Sequence, residues 1–501
     1  MTPPRTAAYG PTRVIALALL VAIVAAGMAP PRLDAQSRPP LDATAALLVE
    51  LIRANTSNPP GNEGLIADLL APKFRALGFE VDIIPTPQPG KSHFIARLRG
   101  DGSKRPLLLA AHADVVGVER DKWSVDPFAG VVTDGHVYGR GAIDFKGGMA
   151  VFARAAMMLA ERKVPLSRDI IFLAEADEEG APFNTAWLAR DHFAKIDAEF
   201  ALNEGGWIIK GEDERVRYVS ISTADKSSVS LVLTARGTST HSSMPRPDNA
   251  IFVLSRAMAR LADYDTEVQL TASTRHFFTT LAETSAPPLS GLFRDLLSGD
   301  PARVRAADRE ISRDPLLHAI MRNSIAPVLM SAGFRSNVIP GSAQATINIR
   351  TIPGTRTDSL IAEMARVVND PRVEVALDTA ALARFATMSR PGERASAGEG
   401  APPIPESPTD NELFRALEGA AVAQYPGARV TPYLFQAGTD AGAWRSRGIP
   451  VYGIYPYAIS ADELTRMHGN DERVSVESLR QGTEMIYRTL VRVAGRNEAR
   501  R

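Results

Sequence analysis

Short apolar runs alternate with amphipathic stretches through the first half of the chain. Five runs have the length and composition of buried strands, and they cover residues 80–84, 93–98, 107–111, 169–174 and 198–202. Three stretches carry apolar residues at helical spacing instead, at residues 45–54, 63–77 and 148–162. Because strands are separated by helical stretches, this pattern predicts a doubly wound α/β sheet.

The pattern changes at about Ser227, where a second set of strands and helices begins. Its predicted strands are 229–235, 343–350 and 373–377, and its predicted helices are 249–261 and 358–368. A helical and polar insertion, about 265–332, lies within this set. The first domain resumes with a predicted helix at 411–425, a strand at 451–455 and a final helix at 477–493. We therefore expect a smaller α+β domain inserted into an α/β domain.

The first residues have the layout of a secretory signal peptide. Arg5 and Arg13 precede an apolar run at 14–26, and residues 33–35 (Leu-Asp-Ala) offer a cleavage site. The apolar run is short for a membrane span, which needs about 20 residues, so anchoring by an uncleaved signal is less favoured. We expect residues 1–35 to be removed and the protein to be exported, to the periplasm or outside the cell.

The amino-acid composition argues against one kind of partner and excludes several kinds of chemical site. The 501 residues include 57 basic and 57 acidic side chains, and this balance gives no support to a nucleic-acid partner. The chain has no cysteine, which excludes disulfides, thiolate zinc sites and cysteine nucleophiles. Any bound metal must therefore be held by histidine, aspartate and glutamate, which suit zinc and harder divalent ions.

Polar residues stand where several predicted strands end, which is the edge at which α/β sheets bind ligands. His112 and Asp114 follow the third strand, Glu178 and Glu179 follow the fourth, and Glu204 follows the fifth. Each cluster taken alone is equally consistent with a solvated polar loop. Two adjacent carboxylates can also supply a metal ligand and a general base that acts on metal-bound water.

Seven short motifs occur in a fixed order along the chain. They are His112-Ala113-Asp114, Tyr138-Gly139-Arg140-Gly141-Ala142-Ile143-Asp144-Phe145-Lys146-Gly147, Asp177-Glu178-Glu179-Gly180, Asn203-Glu204-Gly205-Gly206, Asn337-Val338-Ile339-Pro340, Gly438-Thr439-Asp440 and His468-Gly469-Asn470. In order and spacing the set resembles the M20 metallopeptidase family, which includes aminoacylases, glutamate carboxypeptidases, carboxypeptidase S and succinyl-diaminopimelate desuccinylase. The resemblance covers nearly everything after the leader.

The resemblance implies an α/β fold with a doubly wound zinc-hydrolase catalytic domain, residues 41–226 and 382–496. A smaller α+β lid or dimerisation domain, residues 227–381, would be inserted in it. By the same resemblance, Asp144 would bridge two zinc ions per chain, for which Co²⁺ or Mn²⁺ could substitute. His112 and Glu204 would complete one metal site, and Glu179 and His468 the other.

Further roles also follow from the resemblance alone. Asp114 would hold the first imidazole ligand rather than touch metal. Glu178 would take a proton from the bridging water and deliver it to the leaving amine. His241, on the inserted domain, would stabilise the tetrahedral oxyanion of a partner subunit, which implies a homodimer through the lid domain. Asn337 and Arg350 would hold the carboxylate of the substrate.

One of the departures from the family pattern bears on the choice of ligand. The family's Asp-Glu-Gly-Gly stretch has Asn203 here, and because a neutral amide binds zinc poorly, Glu204 is the predicted ligand. We expect an exported zinc-dependent hydrolase that cleaves an amide bond next to a free carboxylate in small peptides or N-acyl amino acids. The alternative is a non-catalytic metal- or peptide-binding protein on the same fold. Loss of Glu178 or of a ligand would indicate that alternative, and neither is lost.

Overall fold

The computed structural model describes residues 41–180, 182–379 and 404–496. The predicted signal peptide at 1–35 and the predicted domain boundary at 381/382 lie outside the described residues. Among those described, no helix combines the length and the apolar composition that crossing a membrane requires.

The described strands and helices follow the predicted order closely. The strands are β1 Glu80–Pro85, β2 Ser92–Leu98, β3 Leu107–His112, β4 Val131–Thr133, β5 His136–Tyr138, β6 Ile170–Glu175, β7 Phe200–Asn203, β8 Ile208–Lys210, β9 Val216–Asp225, β10 Ser227–Arg236, β11 Thr240–His241, β12 Ser324–Ala332, β13 Val338–Ile339, β14 Ser342–Thr351, β15 Val373–Leu377, β16 Arg429–Phe435, β17 Val451–Gly453, β18 Ala458–Ile459 and β19 Arg473–Ser475. The helices are α1 Ala43–Arg53, α2 Gly64–Ala76, α3 Lys146–Glu161, α4 Thr185–Ile196, α5 Ala250–Ala262, α6 Ala272–Thr284, α7 Leu289–Leu296, α8 Pro301–Ile311, α9 Pro315–Ile320, α10 Thr357–Val368, α11 Glu412–Gln424, α12 Gly442–Arg445, α13 Ala461–Leu464 and α14 Val476–Ala494.

A ten-stranded mixed sheet forms the larger part of the fold. Its order is β1-β2-β6-β3-β7-β17-β9-β8-β18, with β16 beside β9, and the central strands β6, β3, β7 and β17 run parallel. Leu107, Leu109 and Ala111 of β3 enter one apolar cluster with α1, α2, α3 and α14, whereas Leu108 and Ala110 enter another with α4 and α12. Burial on both faces explains the continuous apolar run in the sequence. The predicted doubly wound α/β fold is confirmed.

A second, smaller sheet contains four antiparallel strands in the order β12-β14-β10-β15. Alternate residues of β10, including Leu231 and Leu233, pack with α5 and α10 in an apolar cluster of their own. Beside this sheet, β11 and β13 form a short two-stranded ribbon in which His241 pairs with Val338. This is the α+β unit that the sequence predicts inside the larger fold.

The insertion predicted at about 265–332 divides between the two sheets. Helices α6 to α9 bring Phe277, Phe278 and Phe293 into the apolar cluster of the large sheet, where α6 contacts β9 and β16. The last residues of the insertion form β12, an edge strand of the small sheet that the sequence pattern did not identify. Most of β12 is exposed, so it lacks the alternation of buried and exposed positions that marks a half-buried strand. The exact domain boundaries stay a prediction.

Candidate metal centre

The predicted ligands converge because three neighbouring parallel strands end at one edge of the large sheet. His112 is the last residue of β3, Glu178 and Glu179 follow β6, and Glu204 follows β7. Two more loops reach the same edge, one between β5 and α3 and the other between α13 and β19. Parallel pairing thus assembles residues that are far apart in the sequence.

Asp144 lies between the two histidines. Its Oδ1 is 3.1 Å from Nε2 of His112, and its Oδ2 is 3.0 Å from Nε2 of His468. Glu204 Oε2 is 3.5 Å from the same nitrogen of His112, and Glu179 Oε1 is 2.8 Å from that of His468. Two groups of possible ligands therefore share Asp144, and in each group the donor atoms lie within 4.8 Å of one another.

The charge balance of this cluster fits divalent cations. Asp144, Glu178, Glu179 and Glu204 bring four carboxylates together, and the two histidines can supply only two positive charges. Burial, opposed by His112 and assisted by Asp144, raises the pKa of Glu204 to about 7. Burial and the neighbouring Glu204 also raise the pKa of Glu178 well above its ordinary value. Crowded carboxylates of this kind are stabilised by bound cations, and imidazole and carboxylate donors suit zinc.

Asn203 and Glu204 point in different directions. The Asn203 amide accepts a hydrogen bond from the Glu204 N–H at 2.6 Å and donates to Oε1 of Glu175 at 3.2 Å. Oε2 of Glu204 instead accepts from the Tyr455 hydroxyl at 2.9 Å, and that hydroxyl is also 3.2 Å from Oδ1 of Asp144. The geometry favours Glu204 over Asn203 as the ligand, and it adds Tyr455 as a residue that orients two ligands.

We expect Glu204→Ala to lose one of two bound divalent ions, because a carboxylate donor is removed from the group it forms with His112 and Asp144. Asn203→Ala, the matched control one residue away, should keep both ions, since the Asn203 side chain bonds to Glu175 and to the main chain of Glu204 and supplies no carboxylate to either ligand group. Metal content per chain after dialysis measures the difference. Equal metal content in Glu204→Ala and the parent protein would show that the ligand lies elsewhere.

The carboxylate of Asp114 contacts the loop that carries Glu178 and Glu179, here called the acidic loop, more closely than it contacts the His112 ring. Nδ1 of His112 is 3.0 Å from the main-chain carbonyl of Asp114 but 3.7 Å from its carboxylate. That carboxylate accepts hydrogen bonds from the N–H groups of Glu178 at 3.2 Å and Glu179 at 3.0 Å, and from the amide of Asn58 at 2.8 Å. One residue therefore orients the imidazole through its main chain and the two glutamates through its side chain.

A further acidic group, formed by Glu63, Asp114 and Asp177, lies behind the centre and is buried. The buried ammonium of Lys91 contacts the Asp177 carboxylate and donates to the Asn58 side-chain oxygen at 3.3 Å. Because this group already contains a cationic side chain, we do not count it as a metal site.

The structure does not bring His241 and Asn337 to the metal ligands; within the described chain, no hydrogen bond or ion pair joins either residue to them. Both are exposed on the β11–β13 ribbon, where the Ser242 N–H donates to the Asn337 carbonyl at 3.0 Å. Nδ1 of His241 accepts from the Ser243 N–H at 3.2 Å. The neutral ring therefore carries its proton on Nε2, the form that can donate to an oxyanion.

Arg350, in contrast, is directed from the small sheet toward the acidic loop. Arg350 is in β14, and its guanidinium lies beside Gly438. A β-carbon at position 438 would be 3.8 Å from Nη1 of Arg350. Burial lowers the pKa of Arg350, and the negative charge of Glu178 opposes this effect. A partly buried guanidinium near the predicted base is suited to binding a substrate carboxylate.

Comparisons with known proteins agree on one family. The sequence profile of peptidase family M20/M25/M40 matches residues 108–492. The probable carboxypeptidase S-like 2 of Dictyostelium discoideum is 29% identical over 77% of this chain and 71% of its own length. The human N-fatty-acyl-amino acid synthase/hydrolase PM20D1 is 27% identical over 79% of this chain and 76% of its own. An M20 family metallo-carboxypeptidase, Sso-CP2 of Sulfolobus solfataricus, has a similar structure, with a TM-score of 0.65 and 16% identity over 90% of this chain and 99% of its own.

Proposed function

This chain belongs to peptidase family M20/M25/M40 and is a hydrolase, and from that premise we propose its reaction. The protein hydrolyses an amide bond adjacent to a free carboxylate in small peptides or N-acyl amino acids, using two divalent ions. The observation that carries the proposal is the pair of ligand groups that share Asp144, with the carboxylate of Glu178 beside them. A non-catalytic binding protein would have no use for a base at that position.

The residues of the chain divide the work of the reaction. Bound at the two ligand groups, the cations supply Lewis acidity toward the scissile carbonyl and the attacking water. Glu178 accepts a proton from the water and returns it to the leaving nitrogen. Arg350 pairs with the substrate carboxylate, and Asn337 assists from the ribbon.

We propose that a second chain completes the site, in a homodimer formed through the small sheet. Edge strand β12 exposes the apolar residues Val328, Leu329 and Met330, which are 54%, 68% and 61% accessible, and α5 exposes Phe252 at 59%. An open edge strand and an exposed apolar patch are both typical of an interface. In an isologous dimer, the Nε2–H of His241 of one protomer would donate a hydrogen bond to the oxyanion formed in the site of the other.

The substrate class is tested with matched pairs of compounds. The metal-loaded protein should hydrolyse dipeptides or N-acyl amino acids that carry a free carboxylate. The corresponding carboxamides should react about 10- to 100-fold more slowly, which is the usual effect of losing a hydrogen bond between charged groups. Liberated amine measures the rate. A protein with two bound ions that hydrolyses neither class, or that hydrolyses both equally, would contradict the proposed specificity.

A further inference from the structure

A buried ion pair connects the loop of Asp144 to the loop of His468. Glu472 is fully buried, and its Oε1 accepts the main-chain N–H groups of Ile143 at 2.7 Å and Asp144 at 2.9 Å. Its Oε2 accepts from the Gly141 N–H at 3.1 Å and from the guanidinium of Arg140 at 2.7 Å. One carboxylate thus fixes the main chain of the shared ligand and of the residues just before it.

Arg140 makes the other half of the connection. Its Nη2 donates to the carbonyl of Gly469 at 2.8 Å and to that of His468 at 3.3 Å. His468 itself has φ of 57°, and Asp471 has φ of 53°. A residue with a side chain adopts this left-handed conformation at a cost in free energy, so the loop depends on contacts of this kind.

We propose that Arg140 and Glu472 are positioning residues that set the separation between Asp144 and His468. Neither residue offers a donor atom to the metal groups; the pair acts on the main chain that carries the ligands. A buried ion pair is by itself weak support for stability, because desolvation offsets much of the attraction. What distinguishes this pair is that, among the described residues, its other side-chain hydrogen bonds go to the two ligand loops and to the nearby carbonyl of Gly117. The inference rests on the proposed metal centre.

Glu472→Gln tests the pair directly, since it replaces one carboxylate oxygen by an NH₂ group. That group would face the Arg140 guanidinium and the Gly141 N–H, which are donors as well. Equilibrium dialysis of metal-free protein against Co²⁺ should show affinities for both ions reduced by about 10- to 100-fold, the range found when partners of ligands are removed. Both ions are affected because Asp144 is shared.

Asp169→Asn is the matched control. Asp169 is also a buried carboxylate that accepts a main-chain N–H, from Gly100 at 2.9 Å, and pairs with Arg97 at 3.0 Å. It lies beside the start of β6, at the opposite end from the metal groups. This variant should unfold at a lower temperature than the parent protein and should bind Co²⁺ with the parent affinities.

Arg140→Lys distinguishes the contacts of the pair with the loop of His468 from its contacts with the loop of Asp144. A lysine can keep the charge pair with Glu472 but cannot also donate to the carbonyls of His468 and Gly469, because it lacks the planar fork. We expect weaker binding of the ion held by His468 and little change for the other, so that two binding steps separate. If Glu472→Gln does not fold, this variant decides the matter.

The outcomes distinguish this inference from the proposed function. If the parent protein fails to bind two ions, the metal centre itself is refuted. If the parent binds two ions and the folded variants at Glu472 and Arg140 bind them equally well, only the positioning role is overturned. Failure of both variants to fold where Asp169→Asn is folded would also overturn it, because the pair would then serve general stability.

Discussion

Replacing Glu178 by glutamine should lower kcat by about 10²- to 10⁴-fold, the usual contribution of a general acid–base group. The side chain keeps its size and polarity, but an amide cannot accept the proton of the attacking water or return it to the leaving nitrogen. Because two ligand groups are complete without Glu178, both metal ions should stay bound. Steady-state kinetics together with metal analysis of the same sample measures both quantities.

Glu179→Gln is the control for that result, since it makes the same chemical change at the adjacent residue. Glu179 contacts His468 at 2.8 Å in one of the two ligand groups, so its substitution should reduce metal content as well as turnover. If Glu178→Gln lost metal and Glu179→Gln retained it, the roles of base and ligand would have to be exchanged.

Mixed dimers of His241→Ala and Glu178→Gln chains should recover activity that neither homodimer has. His241 is exposed on the ribbon of the small sheet and, in the part of the chain that is described, has no contact with the metal ligands. If it serves the partner's site, each homodimer has two defective sites. In a mixed dimer, one site combines an intact Glu178 with an intact His241 from the other chain.

Co-expression with two different affinity tags allows the mixed dimer to be isolated and assayed beside both homodimers. The tagged parent chain carried through the same purification is the positive control. Isolated mixed dimers that remain as inactive as the two homodimers would show that His241 does not act across an interface. A monomeric protein with full activity would lead to the same conclusion.

The proximity of the predicted ligands could be inferred from the sequence, because their positions follow from strand order. Apolar runs locate β3, β6 and β7, and parallel neighbours must end at the same edge, so His112, Glu179 and Glu204 had to be close together. The choice of Glu204 over Asn203 followed from donor chemistry, and the side-chain directions in the structure agree with it.

Residues that act through long-range contacts could not be predicted in this way. Tyr455 reaches Asp144 and Glu204 from the loop after β17. Arg140 and Glu472 each bond to the ligand loop that carries the other, and no local pattern indicates which groups these side chains contact. Tyr455 had one usable signal, since it follows β17, which pairs in parallel with β7. The contact of the Asp114 main-chain carbonyl with His112 was also not predicted, because a sequence motif gives residue types and does not indicate main-chain contacts. Strand β12 was not predicted because an exposed edge strand lacks the alternation of buried and exposed residues.

We propose that amide hydrolysis requires two divalent ions at the groups sharing Asp144. Zn²⁺ or Co²⁺ is added to metal-free protein while bound metal and hydrolysis of an N-acyl amino acid are measured together. We expect no turnover without metal and full turnover when about two ions are bound per chain, as in other two-metal hydrolytic sites. Full hydrolytic activity in the metal-free protein would contradict this proposal.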